Sequence, residues 1–143
     1  MTDVGLVLLK LQRLREYVAL ARDRRPSDAA NLVADLVLRD ALALALLVAV
    51  QEAIDVAYHI TADEGWGVPD SHAAAFDLLR DRKVLGAELA RRLQGICRIR
   101  NRIAHGYASV DHARMWSELP DGLDALDAYA ASVAAWLPAD PPA

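Results

Sequence analysis

The sequence has few of the residues that interrupt helices, with seven glycines and six prolines among 143 residues. Its single cysteine, Cys97, excludes an internal disulfide framework. The longest apolar run covers only residues 41–50, which is too short to span a bilayer, and the first residues lack the pattern of a secretory signal peptide. We therefore expect one helical domain, located in the cytoplasm and not in a membrane.

Acidic residues are absent between Glu88 and Asp111, although the whole chain has a net charge of −4. Residues 89–110 carry a local charge of +5, which comes from Arg91, Arg92, Arg98, Arg100 and Arg102. The overall charge argues against a general nucleic-acid coat protein. The segregated basic segment is the more informative feature, because it concentrates positive potential in one place.

The spacing of apolar residues predicts an all-α, up-and-down bundle of about five helices. Asp3 is placed to cap the first helix, which Pro26 ends. Ser27 is placed to cap a second helix over residues 28–62. The middle of this long helix is apolar all round, so it must lie at the centre of the bundle or against a partner subunit.

The second half of the chain contains three further predicted helices. After the loop "EGWGVPDS", Ser71 or Asp70 caps a third helix that ends near residue 80, and a fourth runs from about residue 84 through the basic segment. Asp111 caps the last helix, with Val110 packed on Met115 as a hydrophobic staple. We expect Pro120 to kink or split that helix, which ends at residue 136. Residues 1–137 are thus the predicted domain, and 138–143 a flexible tail.

The fourth helix places three polar residues of the basic segment at informative spacings. Arg100 lies only about 40° from Ile96, within the apolar stripe, where a guanidinium must be paired or face a polar cleft. Asn101 and His105 are four residues apart, so the amide could orient the imidazole. Arg100 and His105 differ by about 140° on an ideal helix. They converge only at a helix end, or when another chain supplies a complementary set.

These residues resemble a known motif. The stretch "RNRIAHGY" is similar to the Arg-x4-His motif of the HEPN superfamily, and in particular to that of the HepT-like toxins, which ends in His-x-Tyr. The following "SVDHARMWSELP", the long second helix and the "WGVPDS" loop also resemble the corresponding parts of those toxins. The resemblance covers nearly the whole chain, although Gly106 stands where many members carry an acidic residue.

The resemblance implies a homodimeric, metal-independent endoribonuclease without a cofactor, paired with a minimal nucleotidyltransferase antitoxin. Arg100 and His105 would be its catalytic residues, Asn101 their polar support, and Tyr107 the residue that the antitoxin adenylylates. Which RNA is cut, transfer or messenger, stays open. The histidines themselves fall on different predicted segments without metal-ligand spacing, at positions His59, His72, His105 and His112.

The residues support this chemistry independently. An imidazole titrates near neutrality and can move the proton of a ribose 2′-hydroxyl, and an arginine fork can bind the scissile phosphate. Arg98 and Arg102 form a solvated face that could also contact RNA phosphates. Two alternatives remain: a non-catalytic helical module that serves a separate nucleotidyltransferase, and a plain structural bundle. Taken singly, Arg100 could also be a snorkelling side chain or one half of a buried salt bridge.

Overall fold

A computed structural model describes residues 1–106 and 110–139. It contains six α-helices: α1 Val4–Arg24, α2 Ala29–Ala34, α3 Leu36–Asp63, α4 His72–Asp81, α5 Ala87–Gly106 and α6 His112–Trp136. The predicted all-α bundle is confirmed, with one helix more than the sequence suggested. Residues 140–143 of the predicted tail lie outside the described residues.

Aspartate side chains that accept hydrogen bonds from backbone N–H groups mark the starts of α1 and α2. Asp3 caps α1 by accepting a hydrogen bond from the backbone N–H of Leu6, as predicted. Arg25 precedes Pro26 and is extended, which ends α1. The predicted cap at Ser27 is wrong, because the carboxylate of Asp28 accepts from the N–H of Asn31 instead.

The predicted single helix over residues 28–62 is also wrong. Asp35 interrupts it in an extended conformation, and its side chain accepts from the N–H of Leu38. This carboxylate therefore caps a new helix, α3, and leaves α2 as a short separate helix of six residues. The break re-aims the chain, so that α3 alone forms the long central element.

The second half of the bundle follows the predicted order. Ser71 caps α4 by accepting from the N–H of Ala74, and Gly67 in the preceding loop has φ +108°, which favours glycine. α5 begins at Ala87, three residues later than predicted. Asp111 caps α6 as expected. Pro120 lies inside α6 without splitting it, so that part of the prediction is wrong.

α3 occupies the centre of the bundle and contacts each of the other five helices, and α6 contacts α1, α2, α3 and α5. Within the described ranges, α3 is the one helix long and apolar enough to cross a membrane by length and composition. However, 61% of its most apolar 18-residue window is buried inside the bundle. Such burial is typical of a core helix.

Two contacts in the core join α6 to α3 and to α5. Tyr129 of α6 is fully buried, and its hydroxyl donates to the carbonyl of Ala53 at 2.8 Å. A Cβ atom at Gly122 would lie 2.1 Å from Cδ1 of Ile96, so the contact depends on the missing side chain. This approach fixes the position of α5, the helix that carries the basic segment.

Candidate active site

α5 presents one apolar face to the bundle and the motif residues on the remaining surface. Leu93, Ile96 and Ile103 are buried, as the predicted stripe requires, and Ile99 is buried in addition. Glu88 in the first turn suits the helix dipole, and His105 lies in the last turn. The face that packs on the core is therefore fixed, and the polar positions of α5 follow from it.

Arg100 is half-buried and points toward α3. Its Nη2 donates to Oε1 of Gln51 at 3.0 Å, and its Nη1 donates to Oδ1 of Asn101 at 3.2 Å. Its Nε is buried without a hydrogen-bond partner among the described residues. No carboxylate within residues 1–106 or 110–139 pairs with this guanidinium. A guanidinium has five N–H donors, so each Nη keeps one for another ligand.

His105 is exposed and lies one turn further along α5, on a different side of the helix. It lines a cavity of about 440 Å³ together with Asn101, Ile103, Val110 and Asp111. Arg100 is not among the residues that line this cavity. Arg100 and His105 therefore face different surroundings within this chain, as the separation of about 140° on an ideal helix predicted.

Asn101 connects the surroundings of Arg100 and His105. Its side-chain oxygen accepts from Arg100, and no hydrogen bond joins it to His105 in the part of the chain that the structure describes. It also lines a second cavity, of about 380 Å³, with Tyr58, His72 and Arg98. Asn101 thus supports the guanidinium in this chain, and its predicted support for the imidazole stays a prediction.

The two arginines predicted to contact RNA differ in their partners. Nη2 of Arg102 lies 3.1 and 3.2 Å from the two carboxylate oxygens of Glu118 on α6. Glu118 also accepts from Nε of Arg114 at 2.5 Å. Arg98 has no such carboxylate among the described residues and is exposed. Of the two, Arg98 is the one whose charge is available to an anion.

Burial governs the protonation of two groups near the motif. It raises the pKa of the Cys97 thiol to about 12, against the opposing charges of Arg100 and Arg98, so the thiol is inert at neutral pH. Partial burial, followed by the nearby charge of Arg39, lowers the pKa of His112. Tyr107, the predicted site of modification, lies outside the described residues.

Gln51 is the site residue that sequence reasoning missed. It lies on α3, 49 residues before Arg100, and nothing in the sequence joins the two positions. A glutamine inside a long apolar helix gives only a weak signal, because such a residue also occurs at the bundle surface. Its contact with Arg100 can be found only from the packing of α5 on α3.

The family follows from a profile match over most of the sequence. A sequence profile described as ribonuclease HepT-like matches residues 9–133. The chain belongs to the HepT-like family. This confirms the resemblance carried by the Arg-x4-His motif. No curated protein matches the chain.

Solved structures share the fold of this HepT-like chain. A tri-AMPylated HEPN toxin of Shewanella oneidensis, in complex with an MNT antitoxin, has a TM-score of 0.83 and 21% identity, over 94% of this chain and 99% of that chain. A toxin–antitoxin structure with AMP-PNP has a TM-score of 0.81 and 20% identity, over 93% and 99%. YutE of Bacillus subtilis, a cytosolic protein of unknown function, has a TM-score of 0.81 and 17% identity, over 95% and 91%. At these identities the likeness shows the HEPN fold.

Proposed function

We propose that this HepT-like protein is the toxin of a toxin–antitoxin pair and cleaves RNA in the cytoplasm without a metal ion. The observation that carries the proposal is that Arg100 has no carboxylate partner among the described residues. Its guanidinium is held by two neutral side-chain oxygens and keeps N–H donors for a phosphate. His105 is exposed on the same helix, where a ribose can reach it. The ribonuclease name of the family supports the same activity.

The reaction uses a nucleophile that RNA itself supplies. His105 accepts the proton of the 2′-hydroxyl while that oxygen attacks the adjacent phosphorus. The bond from phosphorus to the 5′-oxygen breaks, and this oxygen takes up a proton as it leaves. Arg100 stabilises the negative charge that grows on the non-bridging oxygens. The products are a 2′,3′-cyclic phosphate and a 5′-hydroxyl.

The separation of Arg100 and His105 within one subunit supports a homodimeric site. The face of α3 that leads to Gln51 exposes apolar side chains, with Val37 79% and Leu44 58% exposed. Residues 37, 44 and 51 are seven apart, so they lie along one side of α3. A second copy that covers this face would bring its own motif to the first, in a two-fold arrangement.

The proposed partner of this toxin is a minimal nucleotidyltransferase antitoxin, which silences it by adenylylating Tyr107. The AMPylated Shewanella oneidensis toxin with its MNT antitoxin supports this assignment. Tyr107 follows His105 by two residues. An adenylate at that position adds negative charge and a nucleoside beside the proposed site, so it would compete with an RNA phosphate for Arg100.

RNA cleavage by the purified protein in excess EDTA tests the enzymatic proposal. We expect cleavage by the wild type and by Arg91→Ala, an exposed control on α5, and none by Arg100→Ala or His105→Ala. A 5′-phosphate on the product would contradict attack by the 2′-hydroxyl. Binding of RNA without cleavage would instead favour a non-catalytic subunit.

Mixing the two inactive variants tests the composite site. In a heterodimer of Arg100→Ala and His105→Ala subunits, one site combines an intact arginine from one chain with an intact histidine from the other. We expect refolding the variants together to restore part of the activity. Continued inactivity of a heterodimer verified by mass would place both residues of each site in one subunit.

A further inference from the structure

A chain of polar side chains runs from α1 across α3 to Arg100. Nζ of Lys10 lies 3.5 Å from Oδ2 of Asp55, and Nε2 of Gln51 donates to Oδ1 of the same carboxylate at 2.8 Å. Oε1 of Gln51 then accepts from Nη2 of Arg100 at 3.0 Å. The guanidinium is thus connected to a carboxylate through one intervening amide. The connection draws on three helices.

The amide in the middle of this chain has a defined direction. A carboxamide has one acceptor end and one donor end. In Gln51 the donor end is occupied by Asp55, so the acceptor end faces Arg100. Asp55 is itself fixed by Lys10, and Gln51 and Asp55 are four residues apart on α3, where side chains meet. The hydrogen bond to Asp55, on the side away from Arg100, therefore sets the orientation of the Gln51 amide.

The partners of Arg100 contrast with those of the neighbouring arginines on α5. Arg91 pairs with Glu88, Arg92 with Asp121, and Arg102 with Glu118. A direct carboxylate partner offsets the charge of a guanidinium and competes with any phosphate for it. Arg100 is held by hydrogen bonds that leave its charge uncompensated. The carboxylate of Asp55 contacts Gln51 and reaches Arg100 only through that amide.

We propose that Gln51 is a positioning residue that fixes the Arg100 fork without neutralising it, and that Asp55 and Lys10 orient Gln51 for this purpose. This inference rests on the proposed function, because it assumes that Arg100 binds the scissile phosphate. It assigns a role to a neutral side chain on a different helix from the motif. A glutamate at position 51 would keep the shape but place a negative charge on the guanidinium.

An exchange of amide and carboxylate separates positioning from plain structural bonding. The double variant Gln51→Glu/Asp55→Asn keeps the net charge and allows the same hydrogen bonds, since the new amide at position 55 can donate to the new carboxylate at position 51. The matched control is Gln12→Glu/Glu16→Gln, an exchange with the same four-residue spacing on the exposed face of α1, where Nε2 of Gln12 lies 3.4 Å from Oε1 of Glu16. Both exchanges are compared with wild type and with Gln51→Glu alone.

We expect both exchanges to fold like the wild type by circular dichroism and thermal unfolding. The exchange at 51 and 55 should lower kcat/KM for RNA cleavage by about 10- to 100-fold, whereas the control exchange should not. With a 2′-deoxy oligonucleotide, which can bind but cannot be cut, the same variant should lose about one unit of the slope of log K against log salt. That readout reports the charge available to phosphates, which the control exchange at positions 12 and 16 should leave as it is.

The outcomes distinguish the two proposals. Wild-type cleavage with an equally active 51/55 exchange would overturn the role of Gln51 and leave the nuclease standing. No cleavage by the wild type would overturn the proposed function itself. If Gln51→Glu alone unfolds the protein, the double exchange decides, because its hydrogen bonds are restored. An unchanged salt slope in the folded double variant would also overturn the inference.

Discussion

Nε of Arg25 donates a hydrogen bond to the main-chain oxygen of Trp116 at 3.0 Å. This is the carbonyl that Pro120, four residues later and without an N–H, leaves without its helical partner. The guanidinium also lies 3.9 Å from the centre of the Trp116 ring, and the indole N–H donates to the carbonyl of Pro26 at 2.8 Å. Arg25, the residue that follows α1, thereby supplies the hydrogen-bond donor that Pro120 lacks, and α6 continues as one helix through Pro120.

The first prediction concerns the hydrogen bond from Arg25 to the Trp116 carbonyl. Arg25→Ala should lower the free energy of unfolding by about 1–3 kcal/mol, because it removes both the hydrogen bond to the Trp116 carbonyl and the cation–π contact. In a Pro120→Ala background the backbone N–H of residue 120 can bond to Trp116, so the cost of Arg25→Ala should fall. Urea unfolding of the four proteins measures the coupling. Additive effects would mean that Arg25 does not replace the lost helical bond.

The second prediction concerns the close approach of Gly122 to Ile96. Gly122→Ala should destabilise the protein by about 1–3 kcal/mol, since overpacking opposes the gain in helix propensity. Ile96→Val removes the Cδ1 atom that the new Cβ would meet at 2.1 Å. The double variant should therefore be more stable than the sum of the single changes predicts, as measured by thermal unfolding. Strictly additive losses would contradict a direct clash.

The third prediction compares Arg98 and Arg102, the two arginines that the sequence predicts to contact RNA. Arg98→Gln should weaken RNA binding and reduce the salt slope by about one unit, because its charge has no carboxylate partner among the described residues. Arg102→Gln should have a smaller effect, since Glu118 already offsets that charge and retains Arg114 as a partner. Fluorescence anisotropy over a range of salt concentrations measures both. Equal effects would show that the Arg102–Glu118 pair opens when RNA binds.

The fourth prediction concerns alkaline pH. Burial raises the pKa of Cys97 from its usual 9.0 to about 12. The unfolded chain therefore loses this proton first, and the contribution to stability, fully present below pH 9, is lost as the pH rises toward 12. Between pH 8 and 10 the wild type should lose about 1.4 kcal/mol that Cys97→Ala retains. Urea unfolding at several pH values gives the difference.

Tyr129 accounts for a separate part of the alkaline profile. Its burial raises the pKa of the phenol well above its usual 10.0, so its contribution begins to be lost at higher pH than that of Cys97. The wild type and Cys97→Ala share this later loss, and their stability curves should separate already between pH 9 and 10. Identical slopes from pH 8 onward would remove Cys97 as the cause.

Local signals made most of the bundle predictable. Asp3 and Asp111 are predictable as caps because each precedes an apolar helical pattern, and the structure places both there. Of the two candidates Ser71 and Asp70, the structure selects Ser71. Asp35 was missed because it lies within an apolar pattern without glycine or proline, where a carboxylate can equally well face solvent from a continuous helix. The sequence of α6 alone predicts a break at Pro120, whereas the donor that the Trp116 carbonyl needs comes from Arg25, outside that helix.

The candidate site was predictable only in its angular arrangement. Helix geometry separated Arg100 from His105, and the structure places them on different surfaces of α5. It could not show that Asn101 bonds to the guanidinium, because one amide lies within reach of both neighbours. Nor could it find Gln51, since contacts between distant helices depend on how the bundle packs.

The contacts of α6 with four other helices also determine when the fold can be completed. The ribosome releases the chain in sequence order, so α5 emerges before the helix that covers Ile96. A chain that still lacks α6 contains the motif residues, but the bundle that holds α5 in position is incomplete. For a protein proposed to cut RNA, the ribosome that makes it is therefore not exposed to an assembled nuclease until α6 has emerged.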